Sequence, residues 1–390
     1  MRSSAATLVI TKAFAHRPSV VCKQLAKSPL RTFTMSTPEQ SGKITAWASN
    51  DGSFKRQTSS FRDDIHKGGK FEPEKGQLAV SAESRIRRYH LYVSLACPWA
   101  HRTLIVRKLK GLEEFFDVSI VHPHMDDQGW RFNGTANETF PAATEDKVYG
   151  VDRIRDLYFK AQKDYDARFT VPVIWDKKHE TIVSNESSEI IRFLNHAFDE
   201  FLPKEKAELD FYPEALRKEI DELNEWVYAT VNNGVYKSGF ATTQEAYEAA
   251  VKPLGESMQR LDKILSDGRD YLVGGKLTEA DIRQVTAVEA QTLSDSCTNP
   301  IASSDCTLLL CDMIPSTTIS EYSSFKCNFG LVRHTYPHLN RWLKNLYWNE
   351  PAFKDTTDFA HIKEHYYWSH AQINPTRIVP IGPVPNIEDL

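Results

Sequence analysis

The sequence predicts an α/β sandwich with a mixed sheet, followed by an all-helical domain. Three observations carry this reading. Between residues 89 and 198, β-rich runs and helical stripes follow one another as β-α-β, then β-β-α. From about residue 205 the apolar residues recur with a period of 3.6. With 390 residues, 41% of them hydrophobic, the chain can bury a large core and divide into two domains.

The first 38 residues carry six Lys or Arg and no Asp or Glu, among many Ser and Thr. Residues 1–40 are therefore expected to be a targeting or disordered segment outside the fold. Mitochondrial import is the expected destination, with a cytoplasmic form if translation starts at Met35. Residues 41–88 are polar, with isolated aromatics at Trp47, Phe54, Phe61 and Phe71, which suggests an extended arm lying on the domain.

Residues 89–203 form the first expected domain. Tyr89–Leu95 alternates as a strand and runs into a helix carrying Leu104, Ile105, Leu109 and Leu112. Phe116–His122 is the second strand. A long polar loop through Trp130 and Tyr149 leads to a third at Phe169–Trp175. Residues 176–179 turn into a short fourth strand at 181–183, and a helix beginning near Ser184 carries Ile190, Ile191, Phe193 and Leu194 inward. Residues 204–390 form the helical domain, with stripes at 221–232, 243–265, 337–347 and 359–367. Thr278-Glu279-Ala280-Asp281 has the form of a capping box and starts a further helix.

A formal net charge of −4 provides no basic stripe for nucleic acid. No apolar run approaches a membrane span. The six cysteines lack the paired spacing of a zinc site, so no metal is expected, and a reducing compartment fits best.

Cys97 follows a strand and precedes a helix, so free amide hydrogens and the positive end of the helix dipole point at its sulfur. That arrangement lowers a thiol pKa. Pro98 suits the first helical position, and His101 and Arg102 add charge nearby. Ala100 stands where a dithiol oxidoreductase has its resolving cysteine, so a mixed disulfide at Cys97 needs an external thiol, for which glutathione is the small candidate. Pro172, at a strand entrance, is where a cis proline would present backbone groups beside a thiolate. Glu186-Ser187-Ser188 opens a helix and can either hold a carboxylate or serve as an ordinary N-cap.

Taken together, YHLYVSLACPWAHRTL, TVPVIWD, TIVSNESSEIIRFLN, NNGVYKSGFAT, LTEADIR, HYYWSH and INPTRI resemble the glutathionyl-hydroquinone reductases, the Xi class of glutathione transferases. The resemblance spans about residues 44–283 and 325–383. It implies a glutathione transferase fold, with a thioredoxin-like N-terminal domain and a helical C-terminal domain, in a homodimer. It also implies glutathione-dependent reduction of S-glutathionyl-hydroquinones through a Cys97–glutathione disulfide that a second glutathione resolves. By the same matching, Trp130, the backbone of Arg168, Phe169, Thr170 and Val171, and Glu186 with Ser187 bind glutathione. Tyr236 handles the proton of the departing hydroquinone, and Tyr366 helps tune the thiol.

The sequence departs from the family between Arg283 and Lys326, where the interval is too long and lacks an apolar helical stripe. Residues 284–325 are expected to be an atypical insertion or translated intron, and Tyr322 is not assigned the role of a second tuning tyrosine. Two other functions compete. One is an omega-like thioltransferase or dehydroascorbate reductase. The other is an inactive transferase-like module, caused by the altered segment.

Overall fold

The computed structural model describes residues 49, 51–74, 87–284, 326–327, 332–381, 387 and 389–390. The basic segment 1–40 with Met35, Trp47, residues 285–325 with Tyr322, and every cysteine except Cys97 and Cys327 lie outside them.

Strand β1 (Tyr89–Val93) is buried along its whole length. It runs parallel to β2 (Phe116–Ile120) and antiparallel to β3 (Val173–Asp176). β3 pairs antiparallel with β4 (Thr181–Ser184), which gives the mixed order β2-β1-β3-β4. A strand buried on both faces needs cover from helices. Helices α1 (Pro98–Leu109) and α3 (Ser187–Leu194) pack against each other, and α2 (Ile154–Ala161) packs against β4.

Helix α2 corrects the sequence reading, which placed only polar loop between the second and third strands. Ile154, Leu157 and Tyr158 form its buried side, and the Asp156 carboxylate accepts the Arg153 N–H at 3.2 Å to cap it. Two further boundaries move. The third strand starts at Val173, because residues 168–171 are irregular and lead to a cis Val171–Pro172 peptide. The following helix starts at Ser187, with Ser184 still paired in β4.

The helical layer contains α4 (Arg217–Val227), α5 (Asn233–Phe240), α6 (Gln244–Ile264), α7 (Pro337–Asn349) and α8 (Phe359–Trp368). A π-helical turn at Tyr228–Asn232 joins α4 to α5, so the helical path runs past the expected end at 232. At Thr278 the capping signature is built from its second half. The Asp281 carboxylate accepts the Thr278 N–H at 3.0 Å and the Thr278 hydroxyl at 3.2 Å.

The arm lies on both layers. Phe54 stacks on Tyr236 and Phe240 of α5, while Phe61 packs edge-on against Tyr158 of α2. Arg62 forms an antiparallel bridge with Ser184 at the free edge of β4. An edge covered in this way offers fewer unpaired backbone groups to other chains.

Candidate active site

Cys97 is the N-cap of α1, extended at φ −87° and ψ 112°, with Pro98 at the first helical position. The Trp99 and Ala100 N–H groups act on its sulfur and favour thiolate, as do the charges of Arg56 and Arg102. Burial nevertheless outweighs them and pushes the thiol above its ordinary value, against the sequence expectation of a lowered one. The Cys97 thiol donates to the Val171 carbonyl at 3.5 Å, a bond only the protonated form can make. His101, one turn into α1, is buried and bonds Thr356 Oγ1 at 2.8 Å.

A pH dependence follows. A folded thiol with a raised pKa gains thiolate only at higher pH than an ordinary one. In glutathione-free protein, iodoacetamide alkylation of Cys97, followed by peptide mass spectrometry, should keep accelerating beyond about pH 8.5, the midpoint of an unperturbed thiol. A plateau reached near neutral pH would contradict the burial argument.

All ten residues given a catalytic or glutathione-binding role by the resemblance line one cavity of about 420 Å³. Cys97 lies at the start of α1, with the irregular segment Arg168, Phe169, Thr170 and Val171 beside it. Several backbone groups of that segment are already engaged. The Thr170 carbonyl accepts from the Tyr158 hydroxyl at 2.9 Å, and the Arg168 carbonyl accepts from the Tyr165 hydroxyl at 3.0 Å. At α3, Glu186 adopts the ordinary N-cap role, its Oε1 accepting from the Ser188 N–H at 3.1 Å and the Ser188 hydroxyl at 2.9 Å. Its Oε2 accepts from Ser59 of the arm at 3.0 Å, and Ser187 is buried next to it.

The opposite wall is aromatic. Trp130 stacks on His365 at 4.8 Å between centroids, and Tyr366 stacks on His370 at 5.4 Å. Burial drives the His365 imidazole well below its usual range, so Nδ1–H of the neutral ring donates to the Pro123 carbonyl at 2.7 Å. That bond ties α8, which carries Tyr366, to the loop after β2. Tyr236 projects from α5 against Phe54 and Trp99.

Sequence reasoning missed several lining residues, chiefly Arg56, Trp99, Tyr228, His365 and His370. Trp99 has a guanidinium on its ring from Arg56 at 4.6 Å and from Arg102 at 4.5 Å. Arg102 is buried, and its pKa is pushed down to about 9 by desolvation and by Arg283, which still leaves it charged at neutral pH. Of the missed residues only Trp99 carried a local signal, as a neighbour of the Cys-Pro pair. Elsewhere, His122, His124 and Glu138 bring ligand atoms within 4.8 Å of one another, but Glu138 is paired with Arg131 and His124 with Glu364.

Comparison with known proteins shows the family. The family described as "Glutathione S-transferase, N-terminal domain" matches residues 96–197, and "Glutathione S-transferase, C-terminal domain" matches residues 225–293. The chain is 48% identical over 348 residues to "Glutathione S-transferase omega-like 2" of Schizosaccharomyces pombe, covering 88% of this chain and 98% of that relative. It is 46% identical over 341 residues to "Glutathionyl-hydroquinone reductase YqjG" of Escherichia coli, covering 87% and 92%. Among solved structures, the Xi glutathione transferase ECM4 of Saccharomyces cerevisiae in complex with glutathione is 42% identical. It superposes with a TM-score of 0.73 over 86% of this chain and 99% of that one. A thioredoxin-like layer followed by helices, a thiol at a helix start and these similarities together make the chain a glutathione-dependent enzyme that belongs to the Xi class of the glutathione transferases, the glutathionyl-hydroquinone reductase family.

Proposed function

We propose that this enzyme reduces S-glutathionyl-hydroquinones to hydroquinones, with glutathione as the reductant. The observation that carries the reading is one cavity that unites the Cys97 thiol, a peptide-like backbone edge and an aromatic wall. Glutathione suits the first two features and a hydroquinone ring the third.

The proposed binding mode also addresses the raised thiol. Glutathione aligned along residues 168–171 would place its cysteinyl N–H on the Val171 carbonyl and take away the acceptor that now holds the Cys97 proton. The Trp99 and Ala100 N–H groups and the Arg56 and Arg102 charges would still favour thiolate, with burial alone opposing them. Ser187 at the start of α3 suits the glutamyl carboxylate of glutathione, and the Glu186 carboxylate suits its amino group.

The thiolate attacks the glutathionyl sulfur. A sulfur–sulfur bond forms, the carbon–sulfur bond breaks, and its electron pair goes to the ring, where the Tyr236 phenol supplies a proton to the departing carbon or oxygen. A second glutathione thiolate attacks the Cys97 mixed disulfide, releasing oxidised glutathione and the Cys97 thiolate. Ala100, at the fourth position of the motif, leaves that step to the external thiol. Tyr366 is assigned to tuning the thiol, and a homodimer is the proposed assembly.

The test is turnover of a synthetic glutathionyl-hydroquinone, together with the mass of the protein after exposure to oxidised glutathione. Hydroquinone release and one glutathione adduct on Cys97 are expected; absence of turnover would end the reading. Thioltransferase or dehydroascorbate reductase activity is the second reading, favoured by the omega-like name of the fission yeast relative. Dehydroascorbate reduction faster than hydroquinone release would select it.

A further inference from the structure

Among the described residues, the cavity-lining Arg56 has no acidic partner. Arg62 pairs with Glu189 and Arg283 pairs with Glu279. Arg56, on the arm, lies 4.6 Å from the Trp99 centroid, 4.8 Å from Tyr236 and 5.4 Å from Phe54. Its Nε donates to Oδ1 of Asn233, which opens α5 three residues before Tyr236. No carboxylate pairs with it among the described residues. Three rings and an amide thus fix the guanidinium without neutralising it. It lines the same cavity as Cys97 and lies over the ring of Tyr236, so one charge faces the pocket shared by the proposed nucleophile and the proposed proton donor.

The chemistry creates a need at that place. Once the Tyr236 phenol protonates the sulfur-bearing ring carbon and the adjacent ring hydroxyl returns its own proton to Tyr236, the ring is a ketone with its carbon–sulfur bond adjacent to the carbonyl. Attack by the Cys97 thiolate on sulfur sends the bonding pair into the ring, and the carbonyl oxygen becomes a phenolate. The ring gains two electrons and the two sulfurs lose them. The phenolate takes up one proton, which the second glutathione thiol returns on ionising. A preorganised cation beside the developing oxyanion stabilises this transition state more than the ground state.

We infer that Arg56 is a catalytic residue that stabilises the phenolate oxygen as the carbon–sulfur bond breaks. This rests on the hydroquinone-reductase reading above. An exposed side chain on the arm can be replaced without opening a core cavity.

The experiment compares wild type, Arg56→Met and Arg56→Lys on glutathionyl-hydroquinones with zero to three ring chlorines, and on a glutathione–mercaptoethanol disulfide. Chlorine stabilises the phenolate by itself, and the disulfide has no ring oxygen. For Arg56→Met, kcat on the unsubstituted adduct should fall roughly 100-fold, the scale of losing one oxyanion donor. The loss should shrink as chlorines are added, the preference for adduct over disulfide should fall, and Arg56→Lys should restore part of kcat. An equal loss on every substrate, or a raised KM for glutathione with kcat unchanged, would mean that Arg56 serves the thiol or the peptide and would overturn the inference. Wild-type enzyme inert toward the whole adduct series would overturn the underlying reading instead.

Discussion

Cys97→Ser is expected to lower glutathionyl-hydroquinone turnover by roughly 1000-fold or more, the scale of removing a covalent nucleophile. A serine hydroxyl stays protonated at neutral pH and cannot form the sulfur–sulfur bond that stores glutathione between the two half-reactions. The replacement costs the fold little. Cys97 occupies the N-cap of α1 without a side-chain cap bond, and Ser is among the preferred residues there. The thermal midpoint should therefore stay near that of wild type, and calorimetry should still detect glutathione binding. A variant that keeps more than a tenth of wild-type turnover would rule out the Cys97 disulfide route and point to direct attack on the adduct by free glutathione.

The local part of this site was legible in the sequence because strand, Cys-Pro pair and helix are contiguous. The spacing of YHLYVSLACPWA puts the sulfur at a helix start wherever the chain folds that way. The sign of its pKa shift was not legible. It depends on how much protein surrounds the sulfur, and that protein comes from residues 168–171, the arm and α8, all distant in sequence. Glu186 shows the same limit, since its cap bond with Ser188 is local whereas its bond with Ser59 joins positions 127 residues apart.

Helix α2 escaped the reading because two turns supply too few apolar repeats to rise above a polar background. The continuation into α5 escaped because Asn232-Asn233-Gly234 reads as a helix stop. Gly234 instead packs closely against Leu254 of α6, where an added Cβ would sit 3.4 Å from the Leu254 Cβ. The packing of α5 against α6 is a tertiary fact that these letters do not carry. His365 and His370 were quoted only as letters of a motif. Their role as ring partners of Trp130 and Tyr366 depends on α8 docking at Pro123, more than 240 residues away in the case of His365.

The second large effect concerns the fold and starts from the capping signature at Thr278. Asp281 is fully buried and accepts from the Leu272 N–H at 2.8 Å, the Thr278 N–H and hydroxyl, and the Trp342 indole N–H at 3.0 Å. One carboxylate thereby ties the turn at Leu272, the helix start at Thr278 and α7 together. Asp281→Ala would leave those donors buried without an acceptor, at about 1–3 kcal/mol each before relaxation or water entry. A net loss of about 3–5 kcal/mol is expected, large beside a typical domain stability of about 5–15 kcal/mol. Denaturant unfolding measures it, and a loss below about 1 kcal/mol would show that the junction is held by packing alone.

The pH dependence of the same residue has a definite sign. Burial pushes the Asp281 carboxyl up to about 6 despite its donors, so the folded state holds this proton more tightly than the unfolded chain. The contribution is fully present below the unfolded pKa and is lost as pH rises through about 6. Asp281→Asn cannot ionise, so the stability difference between wild type and Asp281→Asn should change across that window, with wild type losing ground as pH rises. A difference constant from pH 4 to pH 8 would mean that the four donors offset burial completely and hold the group as a carboxylate throughout.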